Sequence, residues 1–386
     1  MPTTKARNLL YRALLPFCAP GCGPHPVRSV TGHELVHARD FERMLRRHHI
    51  LGSAALLVSG SHSSLICTSS VSPSHNAYPD TYFRVASITK TAAAALTLRL
   101  SEEGLLDLDA PAGSYFNDPS VRSAMEGITL RHLLSHTSGL IDPPGLESAL
   151  EKVVPFPDLM HEARCCPPGT SFHYSNLGFG LIGCVMEAVT GKPVGEIFRE
   201  RLFAPLGMNA TLEGCLIPAG RIMPVTRVLP YRPGSDLILT PLGSVPLSAA
   251  DPVRHYGHTA GSMYTDIGSL QILLRMLSGG GSGYLSADSC RQMLKEHASY
   301  GALSPGLSYG LGMLRITDSA LSDHVIYGHQ GFAYGCADGA FWEDQTGRIM
   351  ITLNGGCSEA RTGRLGLANR DFLRFALRKE FPSWSE

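Results

Sequence analysis

The sequence predicts an α/β chain of the α+β kind: one antiparallel sheet built from both chain ends and flanked by helices, with a mostly helical segment inserted between the two halves. Three observations predict it. A strand pair reads from Ala54–Ser59 and Ser64–Thr68, joined by the turn Gly60-Ser-His-Ser63. Beyond about residue 300 the pattern returns to strand-length apolar runs at hairpin spacing, with Gly-bearing turns such as Asp344-Gln-Thr-Gly347. Between these regions, apolar positions recur at helical spacing and are separated by Pro/Gly loops. The expected organisation is an N-terminal extension over 1–30, a sheet domain from 31–85 together with 300–386, and a helical domain over 86–299. A cleft where the two parts meet is the expected ligand site.

Pro16, Pro20, Gly21, Gly23, Pro24 and Pro26 argue against regular structure in the first 30 residues. Thr31 to His49 carries Leu35, Val36, Phe41 and Leu45 among charges, an amphipathic helix with Thr31 available as its cap. No formal charge falls between Ile50 and Pro79. Gly60, the serines and the prolines break that stretch, so it fits the strand pair and a following loop and not a membrane span, which needs about 20 apolar residues in a row. Ser87 to Glu103 is rich in Ala and Leu and reads as a helix ended by Gly104. Strands are expected at Tyr309–Thr317, His324–Tyr327, Gly335–Trp342 and Arg348–Asn354, and a closing helix over Thr362–Glu380.

Composition narrows the function classes. With 33 Lys+Arg against 33 Asp+Glu, the chain has no electrostatic footprint for nucleic acid or an acidic membrane surface. At 44% hydrophobic and 17% charged residues it is an ordinary globular protein of 386 residues, long enough for a sizeable core. The ten cysteines form no CxxC pair, and Cys165 and Cys166 are adjacent. Free thiols in a reducing, cytoplasmic compartment are therefore expected in preference to a disulfide framework. Lys5 and Arg7 precede an apolar patch from Leu9 to Phe17, a hint of a signal peptide, but Arg12 and Pro16 interrupt it. Cys18, Cys22 and His25, with His33 and His37 beyond, match no zinc spacing, and no metal, nucleotide or redox cofactor is expected.

Three short motifs carry chemistry. In Phe83-Arg-Val-Ala-Ser-Ile-Thr-Lys90 a serine and a lysine three residues apart share one helix face. The serine also stands at a helix N-terminus, which favours developing negative charge. That suits a nucleophile with an adjacent amine base. Alone, the tetrad better fits a helix cap with a solvated lysine. Phe172-His-Tyr-Ser-Asn-Leu-Gly178 places Tyr174 and Asn176 on a loop before an apolar helix, where they can offer a phenol and an amide to one cleft. The plainer alternative has Asn176 capping that helix. Tyr327-Gly-His-Gln-Gly-Phe-Ala-Tyr334 lies between two strands; a glycine there would let substrate approach the backbone. Its alternative is a tight turn with a structural histidine.

Together the motifs resemble the superfamily of serine β-lactamases, penicillin-binding proteins and related esterases, nearest to its class C-like branch. Glu103-Gly-Leu-Leu-Asp-Leu-Asp109, Ile128-Thr-Leu-Arg-His-Leu-Leu-Ser-His-Thr-Ser-Gly-Leu140 and Leu206-Gly-Met208 extend the resemblance over roughly residues 40 to 375. It implies the β-lactamase/transpeptidase fold and acyl transfer, with Ser87 forming an acyl-enzyme that water cleaves. Lys90 and Tyr174 would share the proton traffic as a coupled pair, desolvation favouring a neutral Lys90 and Lys90 favouring an ionised Tyr174. Asn176 would hold the substrate or the Lys90 amine. The oxyanion hole would use the backbone N–H groups of Ser87 and Phe332, with His329 and Gly331 completing the substrate site.

Many lactamases and penicillin-binding proteins carry Lys-Thr-Gly at the third motif, where this chain has His329-Gln330-Gly331. The permanent charge that would hold a substrate carboxylate is missing. A small ester, or an amide or short peptide with a D-configured residue, is therefore the expected substrate, ahead of a β-lactam. A catalytically silent peptide-binding or scaffold member is the reading from another class. His132 and His136, at metal-like spacing, are expected to serve helix packing and termination, and Asp107 and Asp109 a capped loop. Cys336 is expected to be a small buried residue, and Tyr115, Phe332 and Tyr334 to line the pocket.

Overall fold

The computed structural model describes residues 13–14, 27–32, 35–143, 155–224, 226–228, 231–233, 258–302, 304–333, 335–357 and 364–378. Cys18, Cys22, His25, His33 and Tyr334 lie outside the described residues, as does the side chain of His37.

The centre is a nine-stranded antiparallel sheet. Its strands are β1 (Val27–Gly32), β2 (Gly52–Ser59), β3 (His62–Ser70), β4 (Ala298–Ser299), β5 (Leu307–Tyr309), β6 (Leu314–Ile316), β7 (Ile326–Ala333), β8 (Cys336–Glu343) and β9 (Ile349–Gly355). The spatial order is β1-β3-β2-β9-β8-β7-β6-β5-β4. The two ends of the chain meet where β2 pairs with β9, from Ile349 opposite Val58 to Gly355 opposite Gly52.

Alternation along β2 explains why residues 52–59 carry no charge. Ala54, Leu56 and Val58 join the core shared with the helical region, while Ala55 and Leu57 join a second core on the opposite face. A strand buried on both faces has no position for a charge. That second core is closed by α1 (Leu35–His48) and the C-terminal helix Leu367–Ala376, whose Phe41, Phe372 and Phe375 rings meet with centroids 5.5–6.4 Å apart.

Several elements differ from the sequence reading. Val27–Gly32 is a strand on β3, so the helix expected from Thr31 begins at Leu35. The backbone beyond the last proline at residue 26 is free to donate to a neighbour, and the open edge of β3 supplies one. The run expected at Tyr309–Thr317 is two short strands, β5 and β6, folded back on each other, with Gly312 at φ 67° between them. The third motif is not a turn between strands: His329, Gln330 and Gly331 lie inside β7.

The inserted region supplies α2 (Thr89–Glu102), preceded by the 3₁₀ turn Ala86–Ile88, then α3 (Leu130–Leu134), α4 (Asn176–Thr190), α5 (His258–Gly261) and α6 (Ile267–Ser278). α2 is buried along nearly its whole length, from Thr89 through Leu100, as its Ala-rich sequence permits. No single described helix is long and apolar enough to cross a membrane.

Candidate functional site

The three motifs converge. Val85 to Lys90 is held from both sides: the Val85 N–H donates to the Met263 carbonyl at 2.9 Å, and the Met263 N–H donates to Thr89 Oγ1 at 3.1 Å. Thr89 Oγ1 in turn donates to the Ala86 carbonyl at 2.6 Å. Ala86, immediately before Ser87, has φ 45°, a left-handed conformation that a residue with a Cβ rarely adopts. These bonds over-determine the turn that presents the half-buried Ser87.

Lys90 is fully buried one turn further on. Its Nζ donates to Ser87 Oγ at 3.0 Å, Asn176 Oδ1 at 2.8 Å and the Ala260 carbonyl at 2.7 Å. The lysine is therefore not a solvated cap neighbour. Three acceptors match the three protons of an ammonium. Of the three, only the Ser87 hydroxyl also has a proton to give, so a neutral amine must turn its lone pair to that hydroxyl. Burial pushes the Lys90 pKa down to about 7, opposed by the charge of Asp142.

Asn176 is the first residue of α4 and not its cap; Ser175 caps the helix through Gly178. Asn176 is oriented by Asp142, which accepts from Asn176 Nδ2 at 2.8 Å, from the Leu177 N–H at 3.0 Å and from Ser175 Oγ at 3.1 Å. With its amide nitrogen committed to the carboxylate, Asn176 must show its oxygen to Lys90. Tyr174 lies across the site: Lys90 Nζ is 4.9 Å from its ring centroid. Burial raises the Tyr174 pKa, and the nearby Ser87 hydroxyl only partly offsets it. Desolvation thus governs both groups and keeps the phenol protonated, where the sequence reading expected the lysine to favour phenolate.

His329 is buried behind Tyr174, with both ring nitrogens engaged. Tyr309 Oη donates to Nε2 at 2.8 Å, and Nδ1 donates to the Gln330 carbonyl at 2.7 Å. Burial, then the neighbouring Lys90, pushes its pKa down to about 3. It is a neutral imidazole braced by protein, with no ring nitrogen left for substrate. Gly331 is where Val85 and Ala86 close on β7: a Cβ there would lie 2.2 Å from the Val85 carbonyl oxygen and 3.3 Å from the Ala86 Cβ. The close approach expected of substrate at this glycine is made by the nucleophile's own turn. Gly331→Ala should therefore displace that turn, at a cost of about 1–3 kcal/mol. A fall in Tm together with a larger fall in kcat would bear this out; wild-type values for both would refute it.

Strand alternation corrects one expectation. Gln330 and Phe332 point away from Ser87, toward the C-terminal helix. Gln330 Nε2 donates to the Arg364 carbonyl at 2.6 Å and its Oε1 accepts from the Gly366 N–H at 2.9 Å, while the Phe332 ring packs on Gly366. The Phe332 ring therefore does not line the site. The aromatic wall beside Tyr174 comes instead from residues the sequence did not single out for it. His136 stacks 4.2 Å from Tyr174 and 4.8 Å from Tyr309, and Phe172 lies 4.4 Å from Tyr300, measured between ring centroids.

The remaining residues have structural duties. His132 Nδ1 accepts from the Thr129 N–H in a capping box, whereas His136 lies beyond α3 at φ 58° and accepts from the Ser175 N–H through Nδ1. Asp107 Oδ1 accepts from the Asp109 N–H, and Asp109 pairs with Arg131. The Tyr115 hydroxyl accepts from the Asp107 N–H at 2.7 Å, and Cys336 is buried beside Tyr264 and Ile217. Asp142 and the Ala260 carbonyl went unnoticed in the sequence. One lies 34 residues from the amide it orients, and the other is a backbone atom that carries no residue signature.

An antiparallel sheet beside a helical region, with a serine and a buried lysine where they meet, defines the serine-acylating class of hydrolase folds. Comparison with known proteins agrees: residues 38–355 match the family model described as Beta-lactamase, and the chain belongs to that family. It is 28% identical to Esterase EstB of Burkholderia gladioli over 334 residues, covering 76% of this chain and 82% of the esterase. It is 31% identical to the Unguisins hydrolase ungD' of Aspergillus campestris over 154 residues, 36% of this chain and 28% of that one. The chain thus spans under a third of the length of that relative. Among solved structures, a D-stereospecific amidohydrolase from Streptomyces sp. superposes with a TM-score of 0.61 at 26% identity, covering 80% of this chain and 90% of the other.

Proposed function

We propose that this chain is a serine hydrolase that forms an acyl-enzyme on Ser87 from a small ester, or from an amide or short peptide bearing a D-configured residue. The observation that carries the reading is the buried Lys90 amine, 3.0 Å from Ser87 Oγ and shifted to about pH 7. Neutral Lys90 takes the Ser87 proton as Oγ attacks the carbonyl. The Ser87 and Phe332 N–H groups hold the oxyanion, and Tyr174, protonated and beside Ser87, delivers a proton to the leaving group. Asn176 keeps the Lys90 amine in line, and Asp142 fixes Asn176. The neutral, fully bonded His329 offers no charge for a substrate carboxylate, which supports an ester or neutral amide over a β-lactam. The esterase and D-stereospecific amidohydrolase relatives support the same two substrate classes. The cytoplasmic location expected from the free thiols is part of this proposal.

Acid-quenched intact-mass analysis during turnover of p-nitrophenyl butyrate tests it. A butyryl adduct mapping to the peptide that contains Ser87 is the expected result. Folded protein with neither an adduct nor p-nitrophenol release would overturn the esterase reading, and the same failure with D-amino-acid amides would leave a silent binding protein.

The pH profile gives a second test. kcat/KM should rise through about pH 7 as Lys90 loses its proton. Because the charge of Asp142 raises the Lys90 pKa, Asp142→Asn should move this acidic limb to lower pH while reducing the plateau. An unmoved limb would assign it to another group.

A further inference from the structure

We propose that Cys165, Cys166 and His173 form a binding site for a thiophilic d¹⁰ metal ion, zinc in the first instance, in the loop that leads into Tyr174. Their donor atoms lie within 4.8 Å of one another, the one such His/Cys/Asp/Glu grouping among the described residues. The two sulfurs are 3.8 Å apart. In a tetrahedral site with zinc–sulfur bonds of about 2.3 Å, two thiolates stand about 3.8 Å apart, so the pair already has the spacing it would need. Closing the third bond, at about 2.1 Å, asks the half-exposed imidazole to move in by roughly an ångström. Its obstacle is slight: His173 Nε2 is bonded to the Ser171 hydroxyl at 2.9 Å, and that exposed hydroxyl also touches Cys166 Sγ at 3.2 Å.

Two thiolates and an imidazole select zinc or copper(I) over magnesium or calcium. Binding releases the two thiol protons to solvent, and water completes the fourth position at this exposed place.

The backbone is prepared for it. The Cys165 N–H donates to the Gly139 carbonyl at 2.9 Å, Gly169 N–H to Thr137 at 2.7 Å and His173 N–H to His136 at 2.8 Å, so the loop from 165 to 173 is laced to the turn after α3. An ion would cross-link the two ends of that loop, immediately before Tyr174.

Cobalt(II) titration of the full chain, anaerobically and with a phosphine reductant, tests the proposal. One equivalent should bring up a thiolate-to-cobalt charge-transfer band with the visible bands of a tetrahedral ion, both removed by excess zinc. The Cys165→Ser/Cys166→Ser pair should abolish both sets of bands with an unchanged melting curve. His173→Ala should keep the charge-transfer band and weaken binding by at least about tenfold. Absence of a thiolate band in the reduced wild type would overturn the proposal. So would a band that survives in the double serine variant, which would place the ligands at other cysteines.

Discussion

Ser87→Ala is expected to lower kcat/KM toward p-nitrophenyl butyrate by about 10⁴-fold or more and to abolish the butyryl adduct, with the fold intact. Ser87 is half-exposed in the middle of a 3₁₀ turn, and the turn is held by the Met263 backbone and by Thr89, not by the serine. Lys90 keeps two of its three acceptors, Asn176 Oδ1 and the Ala260 carbonyl. The substitution therefore removes the nucleophile with little else. Residual turnover within tenfold of the wild type, by a protein with an unchanged melting curve, would mean that the ester is cleaved elsewhere.

Lys90→Met should cost a factor of about 10³ in kcat, within the range that a positioned base contributes, and it has a second, independent signature. In the folded chain Lys90 titrates near 7, against 10.5 for an ordinary lysine. Between those values the unfolded chain binds the extra proton, so wild-type stability rises with pH from about 7 to 10.5 and gains nothing from this group below 7. The methionine variant lacks that rise. Urea unfolding of both proteins at pH 6, 7.5 and 9 reads it as a difference: the wild type should gain on the variant only above about 7. A constant difference across that range would show that Lys90 is protonated throughout and is not the base.

Much of this site was legible in the sequence because its chemistry is local. Ser87 and Lys90 are one helical turn apart, and Tyr174 and Asn176 lie two residues apart before an apolar helix, so short spacings carried them. The strand pair at 52–70 and the strands β8 and β9 showed through their apolar runs and turns. What escaped depends on distant partners. Val27–Gly32 is a strand only because β3 offers it an edge, and nothing in its own alternation announces that. Asp142 acts through Asn176, and Ala260 acts through a carbonyl. His329 was read as the residue facing substrate, but its role is decided by Tyr309 and by its own neighbour's carbonyl, which together use both nitrogens. The direction of the Phe332 ring followed from strand parity, and became readable only once the third motif was known to lie within β7.

The pairing of β2 with β9 has a consequence for how the chain is made. Those strands are roughly 300 residues apart in sequence, so the central ladder has very high contact order. During synthesis β2 and β3 can form their hairpin early, but the β2 edge that β9 will cover must wait for most of the chain to be translated. Until then an uncharged, strand-forming edge stands open, the kind of surface that recruits other chains. Products that end between Phe332 and β9 should therefore be handled by chaperones or lost to aggregation, even though every motif residue from Ser87 to Phe332 is present.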